Sequence, residues 1–329
     1  MKIAIVVLNW NGKALLEQFL PSVISFSSEA DIYVADNAST DDSVAFVKKQ
    51  FPQVTIIQNS INGGYAKGYN DALKYVKADV FCLLNSDVEV TRDWLKPIQE
   101  TFIKEPNTAI IQPKILDQKN KNHFEYAGAA GGFIDKFGYP YCRGRIFNTI
   151  EKDEGQYNDI ENIFWASGAC LFVRSGIYKE LNGLDEAFFA HMEEIDFCWR
   201  TKNLGLDIKY VGTSTIYHVG GATLSNTSPK KTYLNFRNSL YTLVKNASGN
   251  LFYLVLTRLF LDGIAGIKFL LELKPQHTLA IIKSHFSFYG HFNTLIKQRR
   301  AQNKLSKYYI QKSIVWSYFI TKKGHYKSL

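Results

Sequence analysis

The chain has 329 residues, of which 46% are hydrophobic, and it carries a formal net charge of +9. This length and apolar content predict one large domain with a sizeable core, or one domain with an appendage. The four cysteines form no CxxC pair, which argues against a structural zinc site and favours a reducing compartment. The apolar run after Met1 is too short for a signal peptide, so we expect a cytoplasmic protein that begins with a strand.

The positive charge is concentrated in the C-terminal part of the chain. Residues 230–329 contain 17 lysines and arginines but only two acids, a net of +15, which leaves −6 on residues 1–229. An acidic body with a basic, aromatic-rich tail indicates that the tail meets an anionic partner.

Short apolar runs alternate with helical patterns over the first hundred residues. The runs are typical of strands buried on both faces and lie at 3–8, 32–35, 54–58 and 80–84. Helices are predicted at about 13–27, 41–50 and 66–78. This alternation predicts βαβ units and a mainly parallel sheet, in which ligands bind beyond the carboxyl ends of the strands.

Polar, turn-forming residues follow all four strands, beginning at Asn9, Asp36, Asn59 and Asn85. One such end is ordinary loop chemistry, but four along one edge of a sheet predict a binding crevice.

The rest of the chain has a less regular pattern. Residues from about 109 to 173 are predicted to be irregular and β-rich, with a strand at 164–173. A helix at 193–204 and a strand ending near His218 follow, and residues 230–329 look mostly helical.

Two segments at the crevice have the chemistry of a nucleotide site. Asp36 could accept a hydrogen bond from a base or a ribose hydroxyl, or it could form an Asx turn. The stretch NGGYAKGYN at 62–70 supplies glycines for close backbone approach and Lys67 for phosphate charge, or it is a glycine-rich turn into a helix. It matches neither GxGxxG nor a P-loop, which argues against the common dinucleotide and NTPase sites.

Three acids, Glu193, Glu194 and Asp196, crowd the first turn of the helix at 193–204. Acids there suit the helix dipole, and Asp196 is spaced for an ion pair with Arg200. Alternatively, one of them is a general base, because like charges so close raise the pKa of at least one carboxyl group.

Asp87 follows one predicted apolar strand, and His218 ends another. Taken singly, Asp87 is typical of a turn and His218 of a structural histidine. Together, a carboxylate and an imidazole could hold a divalent cation whose other ligands are phosphate oxygens of a nucleotide.

Six motifs occur in order along roughly residues 1–225. They are VVLNWNG (6–12), VADNASTDDS (34–43), NGGYAKGYNDAL (62–73), LLNSDVEV (83–90), GLDEAFFAHMEEIDFCWR (183–200) and IYHVGG (216–221). Together they resemble family 2 of the inverting glycosyltransferases, and most of all its branch of rhamnosyltransferases and other transferases of bacterial surface polysaccharides. The resemblance implies the α/β GT-A fold, a mixed sheet flanked by helices. It also implies a nucleotide-binding half at 1–105 and an acceptor-binding half at 106–229, which the basic helical extension at 230–329 would follow.

The resemblance further implies roles for individual residues. The donor nucleotide would be bound by Asn9, Asp36, Asn37, Asn62, Gly63, Gly64, Lys67, Asn85 and Ser86, and the substrate by Trp165 and Gly168. Asp87 and His218 would hold Mn²⁺ or Mg²⁺. Glu194 would be the base, with Glu193 and Asp196 as alternatives. The chain departs from the family at Asn85, which replaces the first acid of the DXD-type motif, and at Glu194, where this branch has Asp.

The implied activity is inverting transfer of a sugar from a UDP- or dTDP-sugar to a hydroxyl of a glycan or lipid-linked acceptor, in surface polysaccharide synthesis. Two alternatives remain open. One is a sugar-phosphate nucleotidyltransferase, for which LNWNGKALL would be a poor phosphate loop. The other is a catalytically inactive, glycosyltransferase-like assembly partner.

The segment 251–273 is apolar enough to resemble a membrane span, but it contains four charged residues. Each charge at the centre of a span costs about 2.5–3.5 kcal/mol, so we expect an interfacial helix on an anionic membrane instead. A solvated helical face and packing on the catalytic domain are the alternatives. No nucleic-acid-binding motif accompanies the positive charge, so we expect no nucleic-acid partner.

Overall fold

The computed structural model describes residues 1–220, 228–301 and 303–329. Gly221, the last residue of the IYHVGG motif, lies outside them. The strands are β1 (Ile3–Asn9), β2 (Ala30–Asp36), β3 (Thr55–Gln58), β4 (Val80–Asn85), β5 (Val88–Val90), β6 (Thr108–Asp117), β7 (Gly132–Ile134), β8 (Pro140–Cys142), β9 (Arg145–Ile146), β10 (Thr149–Ile150), β11 (Ile160–Asn162), β12 (Cys170–Arg174) and β13 (Asp207–His218).

Nine of these strands form a mixed central sheet in the order β11-β13-β6-β12-β4-β1-β2-β3, with β5 paired to β13. Strands β3, β2, β1 and β4 are parallel neighbours, while β12 runs antiparallel between β4 and β6. Strands β10, β9, β8 and β7 form a small antiparallel sheet. The prediction of a mixed α/β sheet, parallel in its first half, is confirmed.

The helices are α1 (Lys13–Ser25), α2 (Ser43–Gln50), α3 (Gly64–Leu73), α4 (Leu95–Lys104), α5 (Ser175–Glu180), α6 (Glu193–Asn203), α7 (Pro229–Asn246), α8 (Leu251–Leu271), α9 (Pro275–Arg300) and α10 (Ile314–Phe319), with 3₁₀ turns at Glu186–Phe188 and Tyr326–Ser328. They cover both faces of the sheet. In β1, Ile3 and Ile5 pack into one hydrophobic cluster while Ala4 and Val6 pack into the other, because successive side chains of a strand point to opposite faces.

The sequence predictions were wrong at several boundaries. The predicted strand at 164–173 is a strand only from Cys170, because residues 164–169 turn across the sheet and Trp165 pairs with Gly132 instead. The stretch from 109 is not irregular at its start, since β6 is a regular strand of ten residues. The predicted helix at 66–78 begins at Gly64 and ends at Leu73.

The C-terminal part is helical, as predicted, and it packs on the body of the protein. Leu240, Leu243 and Val244 of α7 belong to the same buried cluster as Phe197 and Trp199 of α6. The two parts divided at residue 229 therefore share one hydrophobic core. Within the described ranges, no helix is both long and apolar enough to cross a membrane.

Candidate active site

The carboxyl ends of four parallel strands meet at one edge of the sheet. Asn9 is in register with Asp36, Asp36 with Gln58, and Asn85 with Leu8, the residue before Asn9. The predicted crevice is therefore lined by neighbouring strand ends, as the general rule for such sheets requires.

Asn9 and Asp36 are buried and bonded to each other at this edge. The Asn9 Nδ2 atom donates to Asp36 Oδ1 over 3.2 Å, and the Ser39 amide donates to Asp36 Oδ2 over 3.0 Å. Asp36 thus forms the local turn considered as the simpler alternative, and its side chain is only 1% exposed. Asn9 Oδ1 is buried beside Gly12 without a partner in the described structure, so it retains an unused acceptor site.

The glycine-rich loop is tied to the end of β2 by asparagines. Asn37 Nδ2 donates to Asn62 Oδ1 (2.9 Å) and to the Gly64 carbonyl (3.1 Å). Gly63 is the N-cap of α3 and Gly64 has φ +82°. A Cβ at Gly64 would lie 2.4 Å from the Phe189 carbonyl oxygen. The glycines were predicted to allow a close backbone approach. In the structure, the segment that approaches Gly64 is this chain's own backbone at Phe189.

Lys67, predicted to lie near the diphosphate, is engaged in ion pairs at the surface of α3. Its Nζ atom is 2.8 Å from Asp71 and 3.8 Å from Glu186. The hydrogen bond to Asp71 and the charge of Glu186 raise the pKa of Lys67, so the side chain is a cation at any physiological pH.

Asp87 and His218, 131 positions apart in the sequence, are brought together as expected. Strand β5 pairs with the end of β13, which places Asp87 Oδ1 3.2 Å from His218 Nε2 in a buried setting. The Asn85 amide lies 3.5 Å from the same nitrogen, and Asn85 and Ser86 are half-buried beside it. Glu89 is paired with Lys121 and takes no part.

The Asp87–His218 pair fits a divalent cation. A carboxylate oxygen and an imidazole nitrogen that face each other are suitable ligands for Mn²⁺, and Mg²⁺ also takes carboxylate ligands. Within residues 1–220, 228–301 and 303–329, no three His, Cys, Asp or Glu side chains converge as a metal site. The protein would therefore supply two ligands, leaving other positions for donor oxygens and water.

Glu125 is a neighbour of this pair that the sequence did not indicate. Its Oε1 atom is 3.6 Å from His218 Nδ1, on the side of the ring away from Asp87. Burial lowers the pKa of His218, but the carboxylates of Asp87 and Glu125 outweigh it and raise that pKa to about 10. Burial raises the pKa of Asp87, but the hydrogen bond and the charge of His218 outweigh burial and lower that pKa. The cluster thus favours a positive charge between the two carboxylates.

Asp196, one of the three candidate bases, is held in an ion-pair network. Its carboxylate is fully buried and accepts from Arg200 Nε (2.9 Å), Lys245 Nζ (2.9 Å) and Asn246 Nδ2 (2.8 Å). Burial raises its pKa, but Lys245 and Arg200 lower it further than burial raises it. The i,i+4 pair with Arg200, considered as the structural alternative, is present.

Glu193 and Glu194 have a different environment. Each leaves a buried Oε2 atom without a hydrogen-bond partner in the described structure. Burial raises the pKa of Glu194 to about 7, and burial together with the charge of Glu194 raises the pKa of Glu193 well above its usual range. Glu194 is partly exposed whereas Glu193 is buried.

Tyr65 lies near the acids and contacts Gly168, one of the two predicted substrate-binding positions. Both glutamate charges act on its hydroxyl, which donates to the Gly168 carbonyl over 2.7 Å. A Cβ at Gly168 would lie 2.9 Å from the tyrosine oxygen, so glycine is needed there for this approach. Trp165, the other predicted substrate-binding residue, has a buried side chain. It is 4% exposed and donates to the Phe133 carbonyl, because the loop buries its ring beside β7.

The chain is similar to curated glycosyltransferases over most of its length. It is 22% identical over 244 residues to the low-salt glycan biosynthesis hexosyltransferase Agl10 of Haloferax volcanii, covering 72% of this chain and 73% of that protein. It is 25% identical over 234 residues to the N-acetylglucosaminyl-diphospho-decaprenol L-rhamnosyltransferase of Mycobacterium tuberculosis, covering 65% and 75%.

Solved structures share the fold. The mannosyltransferase PcManGT of Pyrobaculum calidifontis, in complex with GDP-Man and Mn²⁺, superposes with a TM-score of 0.56 at 12% identity, over 91% of this chain and 84% of that one. TarS 1–349 of S. aureus, in complex with UDP-GlcNAc, gives 0.55 at 17% identity, over 92% of each chain. The GT-A-like architecture implied by the resemblance is confirmed.

A family model settles the relationship. The model described as glycosyl transferase family 2 matches residues 4–181, more than half of the chain. With the relatives in glycan and lipid-linked sugar synthesis, it confirms a nucleotide-sugar glycosyltransferase and favours neither the nucleotidyltransferase nor the inactive partner. The chain belongs to glycosyl transferase family 2.

Proposed function

We propose that the protein is an inverting, metal-dependent transferase that moves a sugar from a UDP- or dTDP-sugar to a hydroxyl of a glycan or lipid-linked acceptor. One observation carries the proposal. An acid with a raised pKa, Glu194, shares the Tyr65–Gly168 neighbourhood with a glycine-rich donor loop, and the same strand edge presents the Asp87–His218 pair.

Glu194 is the proposed base because the other two acids are less suited to the task. Asp196 is neutralised by two buried cations. Glu193 is buried, and burial together with the charge of Glu194 raises its pKa well above its usual range, so its surroundings favour the protonated form. Glu194 is partly accessible, and a pKa of about 7 lets it take up and release a proton at physiological pH.

In the proposed reaction, Glu194 removes the proton of the acceptor hydroxyl as its oxygen attacks the anomeric carbon. The bond from that carbon to the diphosphate oxygen breaks on the opposite face, so a single displacement inverts the anomeric centre. The acceptor gains the sugar, the nucleoside diphosphate leaves with the bonding electron pair, and Glu194 holds the proton. Asp87 and His218 would hold Mn²⁺ or Mg²⁺, which would offset the negative charge that develops on the diphosphate.

The donor residues would act through the crevice at the strand ends. Asn9 has a buried oxygen free to accept from the nucleoside, and Asp36 keeps Asn9 in place. Asn37 and Asn62 brace the loop at Gly63 and Gly64, while Lys67 supplies a cation at the mouth. A lipid-linked acceptor is consistent with the diphospho-decaprenol named for the mycobacterial relative.

An anionic membrane surface is the proposed location of the reaction. Two of the four charged residues that argued against a membrane span are buried. Arg258 and Asp262 lie on the buried face of α8, where Arg258 Nε donates to Asp262 Oδ1 over 2.7 Å. On the exposed faces of α8 and α9, large apolar side chains recur every three or four residues. They form one continuous apolar stripe on each helix. We call this the hairpin face: Phe252, Leu256, Phe260, Ile264, Ile267, Leu271, Leu279, Ile282, Phe286 and Tyr289.

The hairpin face has the charge that an anionic lipid surface requires. Exposed lysines border it at positions 268, 274 and 283, and the first two share an ion pair with Glu272, so the group has a net positive charge. An apolar stripe flanked by lysines is the pattern of an interfacial helix, with the apolar side chains among the acyl chains and the cations among the headgroups.

The proposed activity is tested with a panel of UDP-, dTDP- and GDP-sugars, with Mn²⁺, with Mg²⁺ and with EDTA. We expect one UDP- or dTDP-sugar to raise the melting temperature only with metal, and its nucleoside diphosphate to be released when acceptor is added. NMR of the product should give an anomeric configuration opposite to that of the donor. Failure of every nucleotide sugar to bind would overturn the proposal.

A further inference from the structure

The backbone just before the catalytic acids is strained. Phe189, His191 and Met192 have φ values of 64°, 69° and 73°, in the left-handed region that side chains other than glycine seldom adopt. Such a conformation is unfavourable for a residue with a side chain, and it persists only if its surroundings impose it. Because α6 begins at Glu193, this conformation fixes the direction in which Glu193 and Glu194 enter the site.

Helix α7 supplies the groups that impose it. The Nδ2 atom of Asn238, a fully buried side chain, lies 3.1, 2.9 and 2.7 Å from the carbonyl oxygens of Phe188, Ala190 and His191. Arg237 Nε donates to Asn238 Oδ1 over 2.8 Å, which fixes the orientation of the amide so that its NH₂ group faces the loop.

Arg237 also contacts the loop directly. Its Nη2 atom donates to the carbonyl oxygens of Ala187 (3.1 Å) and Phe188 (3.0 Å). The other side of the loop is held by the donor site, where the Tyr65 amide donates to the Phe189 carbonyl over 2.9 Å. The segment 187–191 is therefore fixed between the glycine-rich loop and α7.

The last turn of α7 holds the acids from their other end. Lys245 and Asn246 bond the Asp196 carboxylate, one helical turn after Glu193. Glu193 and Glu194 thus lie between two contacts with the same helix, one at residues 188–191 and one at Asp196. Neither contact engages a glutamate carboxylate, which leaves both free for chemistry.

We propose that Asn238, supported by Arg237, is a positioning residue of the transferase: it holds the strained 188–192 backbone so that Glu194 faces the acceptor hydroxyl. This rests on the proposed role of Glu194 as the base. Asn238 touches neither donor nor acceptor in this scheme. It acts by keeping a carboxylate at attack distance, and a displacement of about 1 Å costs about 100-fold in rate.

The test compares three variants of the full chain. Asn238→Ala removes the donor, and Asn238→Asp keeps the shape but turns the NH₂ group into an acceptor that faces three carbonyls. Thr242→Ala is the matched control, because Thr242 is buried one turn along α7 and its hydroxyl has no partner in the described structure. The measurements are hydrogen exchange of residues 187–194, the kcat and donor KM of each variant, and the pH dependence of kcat.

We expect both Asn238 variants to lose amide protection over 187–194 by at least about 10-fold, and Thr242→Ala to keep it. In both variants kcat should fall about 100-fold while the donor KM stays within about threefold, because Asn37 and Asn62 brace the donor loop from the end of β2, independently of Asn238. In Asn238→Ala, the pH at which kcat is half-maximal should move below 7 as the glutamate becomes more solvated.

Wild-type protection of the amides of 187–194 in Asn238→Ala, or a kcat within about twofold of the wild type, would overturn the positioning role of Asn238. An equal loss in Thr242→Ala would also overturn it, since general destabilisation would then explain the result. The exchange measurement needs no substrate. If the wild type turned over no nucleotide sugar but Asn238→Ala lost amide protection, the proposed function would fail. The role of Asn238 in holding the 188–192 backbone would still stand.

Discussion

Replacing Glu194 by glutamine should abolish turnover and at the same time stabilise the fold. Burial raises the pKa of this carboxyl from 4.5 to about 7, so the folded protein resists its ionisation. Each pKa unit corresponds to 1.36 kcal/mol, which gives at most about 3 kcal/mol of destabilisation once the group is ionised. Glutamine has nearly the same shape and never ionises, so the variant escapes this penalty.

The sign of the effect sets its pH dependence. Below pH 4.5 the carboxyl is protonated in both the folded and the unfolded chain, and the substitution should leave stability unchanged. As pH rises from 4.5 to about 7 the unfolded chain ionises first, so the wild type loses stability relative to the variant. Above 7 the difference is constant. For a chain of 329 residues, 3 kcal/mol corresponds to a melting temperature higher by about 4 °C.

The assay is a series of thermal melts from pH 4 to 8.5, with kcat measured on the same preparations. Glu17→Gln, at an exposed position of α1, is the control for the same chemical change at the surface. The wild-type kcat should rise with pH and inflect near 7, and Glu194→Gln should lose at least about 100-fold in kcat. Equal melting temperatures at pH 8 would refute the burial argument, and a kcat within a few-fold of the wild type would refute the assignment of the base.

Three further outcomes follow from the site and the hairpin face. Asp87→Ala should abolish the metal-dependent rise in melting temperature with nucleotide, and an unchanged rise would make Asp87 only a turn residue. Glu125→Gln should weaken Mn²⁺ binding, measured by calorimetry, about 10-fold or more, because it removes the charge behind the His218 ring. Unchanged Mn²⁺ affinity would remove Glu125 from the site. Phe260→Ser with Phe286→Ser should weaken cosedimentation with anionic vesicles about 100-fold, unlike exposed Ile103→Ser on α4; equal binding by both would refute the hairpin face.

The parts of the fold that depend on short-range pattern were predictable. The strands β1 to β4 follow from apolar runs, and their polar ends share one edge because parallel strands end together. The approach of His218 to Asp87 was anticipated from their metal-ligand chemistry and from the resemblance, but the pairing of β5 with β13 that produces it was not predicted. The burial of the Trp165 ring was not indicated, because residues 164–173 were predicted as one strand and the contact with Gly132 and Phe133 lies far away in sequence.

The contacts that set the chemistry are long-range, and no local pattern indicated them. Glu125 follows β6 in a stretch predicted to be irregular, and it reaches His218 only because β6 and β13 are parallel neighbours. The acids on α6 looked alike in sequence. They differ because Lys245, 49 residues later, reaches Asp196, whereas Glu193 Oε2 and Glu194 Oε2 have no hydrogen-bond partner among the described residues.

The shared core means that the C-terminal helices are not a removable anchor. Deleting residues 230–329 would leave Asp196 buried without Lys245 and Asn246, and removing one partner of a buried ion pair costs about 3–5 kcal/mol. It would also uncover the apolar side chains of α6 that pack against α7. Loss of membrane binding in such a truncation would therefore reflect unfolding as much as lost lipid contact. Surface substitutions on the hairpin face separate the two, because they leave the contacts between α7 and the catalytic acids intact.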